Sequence, residues 1–527
     1  MQAISIGHAG ILVRTRGVTI VCDPWFVPAF FGSWFVFPRN DRLPDDVMHD
    51  VRNPDFLYVS HLHGDHFDAR FLTEHMNKDT TVLLPDFPTR ELEREFNKLG
   101  FRRFERTVNA REREIAPGVR IAIHVETSIT DGPGGDSALV VSDGESRLVD
   151  QNDCRTSDMD ALLMHGPVDM HWLQFSGAIW YPMVYEMDAA EKKQLCVDKV
   201  ESQFARAMRY VESIDATTVV PSAGPPCFLD EDLFSLNMVT GDEPSIFPDQ
   251  TEFQRRLEAV GRGNAALTIP GTTFTVVPGH DGGRGVVTVE QPMSGAEISR
   301  IFTDKTAYLR EYQADWAQWL RDEKASWASP ETDVVETLRL WWEPLMAMAP
   351  SVREGIGANC LIRAGDLQVH VDFVSGRVTE FNGDAAAQPY AFRFDVPRDL
   401  LERVVAQRAV DWSNSLFLSC RFTAWREGTY NEHLYNFLKS LSVERMTRTE
   451  SEAKSKLQGI PGNESDIEID GWVVQRRCPH RNADLAVFGE IEGDHLVCTL
   501  HGWKFDLATG RCHNAAEKPI RVRRRDA

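Results

Sequence analysis

Asn53-Pro54-Asp55-Phe56-Leu57-Tyr58-Val59-Ser60-His61-Leu62-His63-Gly64-Asp65-His66 is the stretch on which the reading of this chain turns. Its first half is a short apolar run bounded by turn residues, the pattern of a buried strand. Its second half places three histidines and an aspartate at positions 61, 63, 65 and 66. Four such groups cannot all be core side chains, because a buried polar group left unpaired is costly. In a turn, His61 and His63 can approach one ion while Asp65 and His66 approach a neighbouring one. The plain alternative is a solvated polar loop, and the abrupt change from strand to turn argues against it.

Outward from this loop, the first 150 residues read as strands and turns. Ala3 to Ile6, Ile11 to Val13 and Val18 to Cys22 are short apolar or alternating runs, with Arg16-Gly17 as a turn. Val82 to Leu84 and Val119 to Val125 are further strands, and Thr89 to Leu99 has an amphipathic helical pattern. Ala138 to Ser142 and Ser146 to Val149 flank Asp143-Gly144, a hairpin signal. A helix near Ala189 to Ser213 precedes the strand Thr217 to Pro221. Strands mixed with helices in this way predict a layered α/β domain.

The order H-x-H-x-D-H resembles the metallo-β-lactamase fold, a four-layer αββα hydrolase scaffold. Cys22-Asp23-Pro24 fits an early strand end where that family often places an Asp. The resemblance covers residues 1 to about 290 and implies a metal set of His61, His63, Asp65 and His66, with His124 as a third histidine and Asp153 as a bridging or second-site carboxylate. His171 competes with His124. The family's last metal-binding histidine has no counterpart in Val220 to Pro226, and His280 is a poor substitute. The site is therefore expected to hold one ion rather than two.

At the other end, Cys478-Pro479-His480 is followed by 17 residues and then Cys498-Thr499-Leu500-His501. Two thiolates and two imidazoles in paired spacing are a metal site: a tetrahedral zinc, or a cluster with the thiolates on one iron and the imidazoles on the other. The flanking Gly502-Trp503, Phe505-Asp506 and Thr509-Gly510 resemble the Rieske [2Fe–2S] family over about residues 465 to 525. That resemblance implies cluster ligation by Cys478, His480, Cys498 and His501. The tail from Lys518 to Arg525 carries five cations in eight residues, either a frayed solvated terminus or a docking patch for an acidic electron donor.

Between these regions, Tyr308, Tyr312, Trp316 and Trp319 recur at helical spacing, most simply as a helix–helix core. A second aromatic helix, a hairpin at Ser375-Gly376 and two later helices resemble a small sterol-carrier-like α+β fold. The organisation expected is multidomain: an αββα metal-binding domain (1–295), a helical α+β domain (296–445), a linker (446–464) and a C-terminal all-β Rieske domain (465–527).

The 527 residues carry 57 basic and 79 acidic side chains, a net charge of −22. Such a surface repels nucleic acid and anionic membranes. No apolar run reaches the ~18 residues of a membrane span, and nine scattered cysteines describe no disulfide framework. The expectation is a cytoplasmic enzyme with no nucleic-acid or membrane partner, compatible with a homo-oligomer.

A hydrolytic zinc site gains nothing from an electron carrier, whereas a redox-active iron does. The pair therefore points to a Rieske-dependent oxygenase with a mononuclear, or dinuclear, non-haem iron and O2 as co-substrate. A Rieske module joined to such a fold is similar to CMP-N-acetylneuraminate hydroxylase, with the domain order reversed. Asn152-Asp153-Cys154 and Gln174-Phe175-Ser176-Gly177-Ala178 carry that likeness. It implies hydroxylation or N-oxygenation of a small polar biosynthetic substrate of N-acyl, amine or sugar-nucleotide type. The electron donor would be a ferredoxin, a flavoprotein reductase or a cytochrome b5-like protein. The competing reading is a zinc phosphodiesterase or amidase with the Rieske module as redox sensor.

Overall fold

The computed structural model describes residues 1–126, 135–156, 158–240, 244–263, 265, 267–279, 284–381, 383, 390–457, 466–479, 483–499, 502–513 and 518–525. The chain divides into two compact units. The first is built from Met1–Thr127, Gly134–Ala178 and Val197–Ala317. The second is built from Ile179–Cys196 and Gln318–Ala527.

Two sheets form the centre of the first unit. One has eight strands, running in space from Val286–Glu290 through Thr273–Val277, Gln2–Gly7, Gly10–Thr15, Val18–Cys22, Phe56–Tyr58 and Thr81–Leu84 to Arg103–Arg106. The other has six, from Thr218–Ser222 through Met170–Gln174, Arg147–Asn152, Asp136–Ser142 and Val119–Glu126 to Arg113–Ala116. Apolar residues from both sheets, among them Ile11, Tyr58, Ile123, Leu139, Trp172 and Phe274, share one core between them. The far face of the first sheet buries Leu12, Leu57 and Val82 with Val51, Phe71 and Phe96 of three short helices. Beyond the second sheet, Phe175 stacks at 5.1 Å on Phe253 of helix Gln250–Ala259. This is the αββα layering of the metallo-β-lactamase fold.

The aromatic residues after position 300 have a different partner from the one expected. On helix Lys305–Ala325, Tyr312 and Trp316 meet Phe35 edge-on at 5.9 and 5.5 Å, and Tyr308 meets Phe37 at 6.0 Å. Tyr308, Tyr312 and Trp316 of the stripe thus pack on the first unit's own loop and strand residues.

In the second unit, a five-stranded sheet of Arg377–Glu380, Leu367–Asp372, Asn359–Ala364, Phe392–Asp395 and Thr423–Arg426 packs with helices such as Val334–Met348. The segment from Ile179 joins this sheet's edge, with Ala424 donating to Val184 (2.8 Å) and Glu186 donating back to Ala424 (2.9 Å). The expected linker at 446–464 is corrected in its first part, because helix Val443–Leu457 runs through it. Met446, Thr449 and Ala453 bury one stripe of that helix. Glu450 also accepts from the backbone of Ser351 and Val352 at 3.0 Å, capping helix Pro350–Ile356. Residues 458–465 lie outside the described set. Among the described residues, the C-terminal region holds two three-stranded sheets and the short helix Leu485–Phe488.

Candidate metal centre

The strand Phe56–Tyr58 ends the parallel pairing with Val18–Cys22, and the next eight residues turn away at the sheet's end. Asp23, in the left-handed region at φ 42°, donates its N–H to Tyr58 and directs its carboxylate across the turn. That carboxylate accepts from the Ser60 backbone (2.7 Å), the Ser60 hydroxyl (2.7 Å) and the Asn152 amide (2.6 Å), and meets His66 Nδ1 at 2.9 Å. A carboxylate on one imidazole nitrogen fixes the tautomer and leaves the other nitrogen with its lone pair outward. His66 Nε2 is buried and has no hydrogen-bond partner.

The groups around that nitrogen converge. Asp65 Oδ2 and Asp153 Oδ1 each lie 3.7 Å from His66 Nε2. His61 Nε2 and His63 Nδ1 are 2.7 Å apart, and His61 Nδ1 is 3.2 Å from Asp136 Oδ1. His8, at the turn between Gln2–Gly7 and Gly10–Thr15, brings Nε2 to 3.1 Å from Asp65 Oδ2. His8, Asp65 and His66 form one set of donor atoms within 4.8 Å of one another, and His61, His66 and Asp153 form a second. Asp65 Oδ1 and Asp153 Oδ1 are buried without hydrogen-bond partners, like His66 Nε2. Orphaned, buried nitrogen and oxygen atoms facing one another are what a cation would satisfy, so the residues fit a metal ion.

The electrostatics agree. Burial alone would push the His66 imidazolium down, but Asp65, Asp23 and Asp153 outweigh it and hold its pKa well above the ordinary value. Burial would raise Asp65, and His66, His8 and His63 together pull it below the usual carboxylate range. Burial dominates at Asp153 and pushes its carboxyl up, against the pull of His66 and His61. Without an ion the cradle therefore favours a protonated His66 beside an ionised Asp65, and a cation on Nε2 would take the place of that proton.

Two expected ligands stand elsewhere. His124 lies on Val119–Glu126, where Ile121 and Ile123 face the core between the sheets; strand alternation turns His124 to the other side. There it meets His165 at 3.0 Å between Nε2 atoms, and burial with that neighbour lowers it to about 4. His171 is turned out in the same way, since Met170 and Trp172 take the inner face of its strand. It pairs with Gln151 at 2.9 Å, and burial lowers it to about 3. Neither joins the converging sets. His280 lies outside the described residues. His8 and Asp136 were not anticipated. The one available signal for His8 was a polar ring in Gly7-His8-Ala9-Gly10, between two apolar runs.

In the C-terminal region, Cys478 and Cys498 are both fully buried. Cys478 donates its N–H to the Ala483 carbonyl at 2.9 Å. Cys498 ends strand His495–Cys498 opposite Trp503, and Gly502, at φ 71°, donates to the Cys498 carbonyl at 2.7 Å. Each buried thiol thus sits beside a backbone hydrogen bond, Cys478 to Ala483 and Gly502 to Cys498. Their companions His480 and His501 lie outside the described residues.

An αββα domain with a His/Asp cradle, followed by a two-cysteine loop module, defines a Rieske iron–sulfur protein built on a metallo-β-lactamase fold. Family models match a Rieske [2Fe-2S] domain over residues 464–523 and an Rv3818-like, SCP2-like domain over 334–455. The chain is 42% identical over 530 residues to a Rieske 2Fe-2S iron-sulfur protein, Rv3818, of Mycobacterium tuberculosis (strain ATCC 25618 / H37Rv), covering 99% of this chain and 100% of that one. It belongs to the Rv3818-like family of Rieske proteins. Among solved structures it is similar to Igni18, a metallo hydrolase of Ignicoccus hospitalis KIN4/I (18% identity, TM-score 0.36, 52% of this chain and 96% of that chain). It is also similar to CmlA, a diiron β-hydroxylase from Streptomyces venezuelae (16% identity, TM-score 0.33, 52% and 53%).

Proposed function

We propose that this protein is a Rieske-dependent non-haem iron oxygenase. The observation that carries the reading is the presence, on one chain with a Rieske domain, of a second buried donor set whose orphaned atoms call for a cation. When bound, a Rieske cluster hands on single electrons, and a non-haem iron supplies a redox-active centre for dioxygen chemistry. Cys478, His480, Cys498 and His501 would hold the first; His61, His63, Asp65, His66 and Asp153, with His8, would hold the second. Asp23 holds the His66 proton on Nδ1, so Nε2 stays available as a ligand. His63 and Gly64 are half-buried at the mouth of the cradle, while His61 and His66 are enclosed, so substrate approaches from the His63 side. The substrate class is a small polar N-acyl, amine or sugar-nucleotide compound, supported by the likeness to CMP-N-acetylneuraminate hydroxylase. The reading includes an external electron-donor protein.

Metal analysis tests it. Protein made with ample iron and purified without air should hold about three irons per chain, two of them in the cluster. His63→Ala should lose the additional iron and O2 consumption while the cluster remains reducible by dithionite. Cys498→Ser should lose the red-brown colour and the Rieske paramagnetic signal while the cradle keeps its metal. Two irons with zinc in the cradle, and no O2 uptake after reduction, would establish the hydrolase instead.

A further inference from the structure

On the five-stranded sheet of the second unit, the arginines have acidic partners with one exception. Arg393 pairs with Glu186 and Asp395, Arg363 with Asp395, and Arg377 with Glu343. Arg426, at the end of strand Thr423–Arg426, has no carboxylate within ion-pair distance among the described residues. Aromatic rings surround it instead. Its guanidinium carbon stands 5.0 Å from the Tyr185 ring centre, 5.3 Å from Tyr181 and 6.0 Å from Tyr430. Tyr435 stacks on Tyr430 at 5.1 Å with the planes 3° apart, and Trp180 lies 5.1 Å from Tyr435.

These rings do not neutralise the cation. Cation–π contact offsets roughly 0.5–2 kcal/mol of a desolvated guanidinium's cost, less than a paired carboxylate does. The hydroxyls of Tyr185 and Tyr435 are bonded to each other. Burial pushes both phenols above their ordinary value, so neither supplies a phenolate near neutral pH. Arg426, Tyr181 and Tyr430 are nevertheless only partly buried, so solvent reaches the group. The Tyr181 and Tyr185 hydroxyls take hydrogen bonds from the guanidinium, and of its five N–H donors those left over belong to a partly exposed fork framed by flat aromatic faces. A planar or tetrahedral oxyanion accepts such a fork bidentately, and an attached ring or chain packs on the aromatic faces.

We infer that Arg426, with Tyr181, Tyr185, Tyr430, Tyr435 and Trp180, forms a receptor at the edge of the second unit's five-stranded sheet for the carboxylate or phosphate group of an organic anion. The inference is independent of the oxygenase reading, since it uses no metal ligand.

The full-length protein can be titrated calorimetrically with benzoate and, separately, with inorganic phosphate. Saturable binding of either supports the receptor when Arg426→Met weakens it at least about tenfold, as loss of a charge-assisted bidentate contact does. Benzoate binding alone identifies a carboxylate with an aromatic body; phosphate binding alone identifies a phosphate group. Arg426→Lys, which keeps the charge and loses the fork, should fall between wild type and Arg426→Met. A melting curve separates this from a structural role. The bound anion should raise the melting temperature of wild type and leave that of Arg426→Met unchanged. No binding of either anion, equal binding by wild type and Arg426→Met, or an anion-induced melting shift of the same size in both would overturn the inference.

Discussion

Asp23 and His8 show how single side chains outside the histidine loop complete it. Asp23 settles which nitrogen of His66 is free, and His8 adds a nitrogen donor 3.1 Å from Asp65. His8→Ala should therefore weaken metal retention about 10–100-fold, the range seen when a ligand's support is removed. Dialysis against a chelator of known affinity, followed by metal analysis, measures this; retention equal to wild type would place His8 outside the centre. His124 and His171 predict a pH effect instead. Their folded-state values, about 4 and about 3, lie below the unfolded value near 6.5, so the folded state favours the neutral rings. Their contribution to stability is full above pH 6.5 and is lost as the pH falls toward 4, where the unfolded chain takes up protons first. Denaturant titrations of His124→Gln should show that acid loss reduced by about 1–3 kcal/mol.

At the scale of elements, one carboxylate joins the histidine loop to its neighbours. Asp68 caps helix Ala69–Glu74 by accepting from Phe71 at 2.9 Å, and it also accepts from Phe26 (2.9 Å) and Val27 (2.8 Å). Asp68→Ala strands three buried or half-buried donors, and should destabilise the protein by about 2–4 kcal/mol. A urea midpoint within error of wild type would show that water replaces the carboxylate. Element positions were largely legible in the sequence, because periodicity of apolar residues reports helices and strands directly. Facing was less so. At Val119–Glu126 the histidine was read as a ligand, while Ile121 and Ile123 take the inner side and strand alternation leaves His124 the outer one. His8 was invisible for the opposite reason: a turn histidine acquires meaning only when another turn, distant in sequence, is brought against it.

For the whole molecule, net charge and the basic tail belong together. The tail is not frayed, since Val522–Arg524 forms a strand with Trp472–Val474. Arg521 pairs with Asp466 at 3.0 Å and Arg525 pairs with Glu468. Arg523 is exposed, and Arg524 lies 5.7 Å from the centre of the Trp472 ring. In the oxygenase reading these two are the cations available to an acidic donor protein on a chain of charge −22. Arg523→Gln with Arg524→Gln should slow reduction by that donor several-fold at low salt and flatten its salt dependence, because steering acts over a ~10 Å screening length. Stopped-flow reduction at two ionic strengths reads this. Reduction by dithionite, which needs no docking, serves as the control, and an unchanged donor rate would remove the tail from electron delivery.

By itself, the sequence determined the chemistry available. H-x-H-x-D-H after a buried strand and the Cys-x-His and Cys-x2-His pairs each lie within a few residues, so local order already brings their donors together. Alternating apolar runs likewise specified the layered sheets, and the helical aromatic stripe specified a packed face. Only the tertiary structure decided what that stripe covers, that His8 and Asp136 approach the cradle, and that His124 and His171 turn away. It also decided that residues from Ile179 complete a sheet more than 200 residues further on, leaving Arg426 among tyrosines. Those outcomes depend on strand facing and long-range register. Both are set by how apolar surfaces from remote segments bury one another, and no local pattern records that.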